Sequence, residues 1–225
     1  VSDTDSFIDE VTEEVRRDKL FATMKKYGWI AVLAVVVLVG GTAWREYSRA
    51  QAEAQAQGFG DAITAALEAS EPDARIAALD EIATDEPGAR AVLDMLIAAE
   101  KGAAGSDVEA VRQLQAVANN ADVPQIYRQI ASYKALSRSA DALTVDDRRA
   151  GLEALAVPGQ PLRLLAEEQL ALIDIEVGNP DAALERLKSI AQDSEATAGL
   201  RRRASQLIVA LGGSLDDLTV DVQDS

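Results

Sequence analysis

Apolar and polar positions along this chain follow two distinct patterns. From Tyr27 to Trp44 the run YGWIAVLAVVVLVGGTAW carries no charge over 18 residues, and eight of them are Ile, Leu or Val. Everywhere else apolar residues recur three or four positions apart, the period of an amphipathic helix. In the head, residues 1–26, Phe7, Ile8, Val11 and Val15 keep that spacing, and Ser6 with Asp9 forms a capping pattern at its start. After residue 48 the pattern repeats. Leu-x-x-(Ile/Val/Leu)-Ala occurs at Leu79–Ala83, Leu114–Ala118, Leu152–Ala156 and Leu187–Ala191, at steps of 35, 38 and 35 residues. Pro87, Pro124 and Pro161 follow at steps of 37 and 37, and Ala98, Ala135 and Ala171 at 37 and 36. A proline shortly after each Leu pattern is placed to open a helix, where its missing N–H costs nothing.

Each period predicts a helical hairpin. The clearest is a helix over 162–177, a turn at Gly178-Asn179-Pro180 and a helix over 181–192. Gly105-Ser106 marks a second such turn. Counting from Gly105 and from Gly178, Ala110 and Ala183, then Leu114 and Leu187, then Val117 and Ile190 fall on one face of the second helix. One hairpin cannot bury such a face alone, but stacked copies can. The fold class read from this is all-α: a single N-terminal transmembrane helix followed by a right-handed α-solenoid of about four hairpins. The first hairpin is expected from helices near 46–69 and 73–84, and 198–211 is a terminal helix stopped by Gly212-Gly213.

The charge-free run, as a helix, spans about 27 Å, close to the hydrocarbon thickness of a bilayer. Tyr27 and Trp29 flank one end, and Trp44, Arg45 and Tyr47 the other, which is the composition of an interfacial belt. A buried core helix is the alternative, but a core helix of this chain would be Ala-rich and interrupted. Arg16, Arg17, Lys19, Lys25 and Lys26 precede the run, and only Arg45 and Arg49 follow closely. That bias places the N-terminus in the cytoplasm and the repeats outside. Gly41-Thr42-Ala43 has the small residues of a cleavage site, but the preceding 26 residues hold seven acids and are no basic leader, so an uncleaved anchor is expected. The domain reading is 1–26 cytoplasmic amphipathic head, 27–47 transmembrane helix, 48–213 periplasmic repeat domain and 214–225 acidic tail. The head either docks on a membrane or partner or is a solvated extension of the span.

Composition narrows the chemistry. There are no Cys and no His, 38 acids against 22 bases, and a formal charge of −16, of which −15 lies from Glu46 onward. Disulfides, thiolate nucleophiles, zinc sites of Cys or His and Ser-His-Asp catalysis are excluded. The charge argues against nucleic acid. The 42 alanines favour closely approaching helices and offset an aromatic content of 4%. Asp146-Asp147 and Asp216-Asp217 point about 100° apart on a helix and do not converge. They read as caps or tail charges, Asp94 and Glu168 as isolated helix carboxylates, and Arg201-Arg202-Arg203 as a solvated face or a partner contact. The expectation is therefore a binding protein without cofactor or metal and not an enzyme.

The repeats resemble the tetratricopeptide repeat at Gly178-Asn179, Ala183, Leu187 and Ile190, and at the small residues Ala98 and Ala171 after Ile97 and Leu170. The consensus Trp and Tyr are missing, and the turn around Ser139 to Val145 is irregular. A short charged head, a span ending Trp44-Arg45-Glu46-Tyr47 and an Ala/Gln-rich helix leading into divergent repeats resemble the YfgM-like family. The head, Phe7 to Val11 and Glu14 to Asp18, is similar to its alphaproteobacterial members. This resemblance implies an inner-membrane, single-pass ancillary subunit of the Sec translocon that works with a periplasmic chaperone on secreted or envelope proteins. Accessory or assembly subunit of another inner-membrane complex, such as a respiratory one, is the alternative. Carrying over the repeat positions suggests a partner groove at Val92, Met95 and Ala99 of one hairpin and Glu168 and Leu172 of another.

Overall fold

The computed structural model describes residues 3–138 and 142–215, with side chains from residue 33 onward and at 25, 26, 29 and 30. Every regular element among the described residues is a helix. The chain divides into two compact units, Val1–Asp61 and Ala62–Ser225.

The first unit is helix α1, which runs Asp3–Leu67 without a break and enters the second unit with its last turns. It crosses the expected boundaries at 26/27 and 47/48 as one helix. At 1.5 Å per residue its 65 residues extend about 100 Å. All described side chains from 33 to 58 are exposed, including Leu33, Val35–Val39, Trp44 and Tyr47. The Thr42 hydroxyl donates to the Val39 carbonyl, and Ser48 to Arg45, so both polar groups are satisfied within the helix. Among the described residues no helix is long and apolar enough to cross a membrane. The side chains of Tyr27, Gly28, Ala31 and Val32, which belong to the expected span, lie outside the described set, as do those of Ser6, Phe7, Ile8, Asp9, Val11 and Val15.

The second unit holds α2 (Pro72–Asp80), α3 (Pro87–Ala103), α4 (Asp107–Asn119), α5 (Gln125–Leu136), α6 (Val145–Leu155), α7 (Arg163–Glu176), α8 (Pro180–Gln192) and α9 (Ala198–Ala210). From α2 on, each helix packs on the next in the chain, and α3 also touches α5. Prolines open α2, α3 and α8 in the first turn, Pro124 is the N-cap of α5, and Pro161 sits in the turn ahead of α7. Thr144 and Thr197 cap α6 and α9 by accepting from the N–H groups of Asp147 and Leu200. Asp146 and Asp147 lie in the first turn of α6, where an acid suits the helix dipole. The irregular turn expected at Ser139 to Val145 includes residues 139–141, outside the described set. Asp216, Asp217 and the tail beyond them are also outside it.

The markers read from sequence are core residues. Leu79, Leu114, Leu152 and Leu187 are buried in α2, α4, α6 and α8, and Ala98, Ala135 and Ala171 in α3, α5 and α7. The first group needs bulk to fill the interior; the second needs little bulk so that helices can approach.

The helices also repeat at a longer step. α4 and α8 begin and end 73 residues apart, and α5 and α9 start at the same step. Gly105 (φ +83°) and Gly178 (φ +77°) share it. Both hold the left-handed conformation that ends a helix, and the N–H of the following residue returns to the carbonyl of Lys101 or Asp174. The turns after α4 and α8 match too. The Asn120 and Asp193 side chains accept from the N–H of Asp122 and Glu195 at 3.0 and 2.8 Å. Arg75 and Arg148 stand four residues before Leu79 and Leu152, where α4 and α8 have the buried Ala110 and Ala183. Helices α2–α5 and α6–α9 are thus two copies of one four-helix pattern. Among the described residues α5 meets α6 more sparsely than α4 meets α5 or α8 meets α9, although Leu136 shares a buried cluster with Leu152, Leu155, Ala166 and Leu170. There Leu136 is buried beneath α6, while Val209, its counterpart on α9, is 57% exposed.

Candidate functional site

The two copies differ most in polar chemistry, and that difference shapes the surface of the second. In the first copy Met95 is buried among Ala91, Ala98 and Ala131, with Ile130 packed against the same cluster. Their counterparts are Glu168 and Arg203. Glu168 is 5% exposed, and its carboxylate accepts two parallel bonds from Arg203 Nε and Nη2, each 2.7 Å. The bond to Glu168 raises the Arg203 guanidinium above its ordinary pKa. Two positions of one apolar cluster in the first copy are therefore a forked ion pair in the second.

A second polar position changes the same way. In the first copy Lys101 donates to Gln113 Oε1, and Gln113 Nε2 donates to Asp94. In the second, Arg186 donates to Asp174 at 2.9 Å and to Glu167 at 2.6 Å. The central residue of α4 or α8 bridges two residues on the preceding helix in both. Burial pulls the Arg186 guanidinium down, but its bonds to Glu167 and Asp174 outweigh this and leave it raised. Asp174, 3% exposed, also accepts from Arg149 of α6 at 2.8 Å. Arg148 is buried with Nη1 on Glu176, and its Nε has no partner among the described residues.

Beside the Glu168–Arg203 pair lies an open groove of about 620 Å³. It runs between the turn and first residues of α7 and those of α9. Pro161, Leu164, Leu165 and Leu200 supply apolar lining, and Arg163 and Arg203 supply guanidinium groups. Arg163 is anchored to Asp193 at 2.8 Å and Glu195 at 2.7 Å, which raise its pKa. Asp193 is pulled below its ordinary value, first by the bond from Arg163 and then by the Glu195 N–H. A depressed carboxylate stabilises the fold fully above the unfolded pKa, and that contribution is lost as pH falls through the folded value. The melting-temperature difference between the parent and Asp193→Asn is therefore expected to be constant from pH 7 down to the ordinary value of 3.8, and to shrink below it. Thermal melts across that range check this.

The residues expected to form a partner groove fall in two places. Met95 is buried, Val92 packs against its cluster, and Ala99 is exposed, all on α3. Glu168 is clamped by Arg203, and Leu172 is 37% exposed, both on α7. Met95 and Glu168, and Ala99 and Leu172, are counterparts at the 73-residue step. Of the expected anchor residues, Trp29, Trp44, Arg45 and Tyr47 are exposed on α1, and Tyr27 lies outside the described side chains. Glu168 and Asp94 are not solvent-facing: Asp94 accepts from Arg90 at 2.8 Å and from Gln113 at 3.1 Å. Arg201, Arg202 and Arg203 are all exposed; Arg203 reaches across to Glu168, and Arg201 donates to the Asp193 carbonyl at 3.3 Å. A guanidinium donor on a neighbouring helix makes a buried acid tolerable, and no single helix shows this in its own periodicity. A signal of paired guanidinium groups was present in Arg75 and Arg148, which stand where α4 and α8 have alanine and pair with Glu100 and Glu176.

Among the described residues, no cluster of three Asp, Glu, His or Cys could hold a metal ion. No family model, no curated protein and no solved structure matches the chain.

Proposed function

We propose that this protein is a membrane-anchored scaffold whose repeats bind other proteins. The observation that carries the reading is the surface of α1: Leu33, Val35, Val36, Val37, Leu38 and Val39 are each 51–67% exposed, on all sides of the helix. A helix apolar all round is at home in hydrocarbon, with its backbone bonded internally and Thr42 bonded to its own backbone. The span is 27–47 with the N-terminus in the cytoplasm, and the repeats form a solenoid in the periplasm. The acidic repeats keep the scaffold soluble and disfavour docking on anionic lipid. By the YfgM-like resemblance, the role is an ancillary translocon subunit that assists secreted or envelope proteins with a periplasmic chaperone.

Gentle detergent extraction and identification of co-purifying proteins test this. Sec components are expected; respiratory subunits in their place would overturn the assignment. Protease added outside spheroplasts should digest the repeats and spare the head, and the reverse pattern would overturn the orientation.

A further inference from the structure

Two residues lining the groove, Leu200 and Pro161, correspond at the 73-residue step to Tyr127 and Gly88, which pack on each other in the first copy. Tyr127 is the counterpart of Leu200, and its ring lies against Gly88, whose added Cβ would meet Tyr127 Cε2 at 3.1 Å. In the second copy a branched aliphatic side chain stands in place of that ring, and Arg203 in place of Ile130. The space beside them is the 620 Å³ groove. We propose that this groove receives an aromatic side chain, tyrosine or phenylalanine, from a partner protein segment, in the role that Tyr127 plays within the first copy.

The lining suits that occupant. Pro161, Leu164, Leu165 and Leu200 offer an apolar seat, and an aromatic ring contributes much binding energy per residue with few torsions to immobilise. Arg163 and Arg203 are held in place by Asp193, Glu195 and Glu168, so their guanidinium groups are fixed before any ligand arrives. Fixed guanidinium groups favour ring faces and a phenol hydroxyl over a plain aliphatic chain. Both sit at the polar edge of the groove, and neither needs to break its ion pair to do this. An acidic ligand would instead meet Glu195, which is exposed at the rim.

The proposal rests on the repeats being a protein-binding surface, and its test is separate from the test of that reading. The full chain in detergent micelles, labelled at leucine methyls, is titrated with the capped tripeptides Ala-Tyr-Ala and Ala-Ala-Ala. The tyrosine peptide should shift Leu164, Leu165 and Leu200 saturably, and the alanine peptide should leave them in place. Leu200→Tyr, which puts the first copy's ring at a position 3% exposed at the floor of the groove, should weaken binding at least about tenfold. Leu165→Asp, at a half-buried position on the lining, should do the same and serves if the first variant folds poorly. Equal shifts from the alanine peptide, or a folded variant of either kind that binds like the parent, would overturn the groove. Loss of peptide binding in variants whose co-purifying partners are retained supports the groove and leaves the wider reading to its own test.

Discussion

Replacing Leu187 with alanine lowers the stability of the repeat unit by about 3 kcal/mol. Leu187 is 0% exposed and lies in a cluster with Ala171, Ala183, Ile190, Ala196, Leu200, Ala204 and Ile208. The loss combines the transfer energy of the deleted atoms with the cavity left behind. Three helices frame that cavity, and Ala171, Ala183, Ala196 and Ala204 among its neighbours have little bulk with which to fill it. For a domain of this size about 3 kcal/mol lowers the melting temperature by roughly 6–12 °C. Urea titration followed by circular dichroism reads the same quantity. A loss below about 1 kcal/mol would show that Leu187 does not hold the second copy together.

The Glu168–Arg203 pair yields a result of different form. Arg203→Ile alone costs about 2–3 kcal/mol, because a carboxylate 5% exposed is left without its donor. This lies below the usual loss for breaking a buried pair, since half of the Arg203 side chain is open to water and screening. The double variant Glu168→Met with Arg203→Ile installs the apolar pair that the first copy has at Met95 and Ile130. It is expected to regain most of the loss and to end within about 1 kcal/mol of the parent, because well-packed apolar groups often replace a buried ion pair without penalty. Chemical denaturation of the parent, both single variants and the double variant closes the cycle. A double variant as unstable as Arg203→Ile would mean that the two copies pack their first helices differently at this point.

Much of the helical layout was legible in the residues because burial constrains residue type. Leu79, Leu114, Leu152 and Leu187 must fill space and Ala98, Ala135 and Ala171 must leave it, so both sets recur in register. The turn glycines were legible for a related reason, since a left-handed helix end excludes most side chains. The expected helix over 162–177 appears as Arg163–Glu176, and that over 198–211 as Ala198–Ala210. The second helix of the first hairpin is shorter than expected, ending at Asp80, and Ile82 is only half-buried. What stayed hidden were the relations between helices. Steps of 35, 38 and 35 conceal a regular 73, because successive hairpins differ while alternate ones agree. Glu168 read as an isolated carboxylate on its own helix, and its burial follows only from the guanidinium group delivered by α9. Pattern alone assigned Met95 and Glu168 to one kind of surface, although one is packed as core and the other is clamped as an ion.

The sparser contact between α5 and α6 bears on how the chain acquires its structure. Every strong contact in the repeats joins helices close in sequence, so loop closure costs little and each copy can form quickly. Each copy can form its own clusters first, and Leu136 then joins them by packing with Leu152, Leu155, Ala166 and Leu170. Two nuclei, one in each copy, can start the process, and the order in which a growing chain emerges decides which comes first.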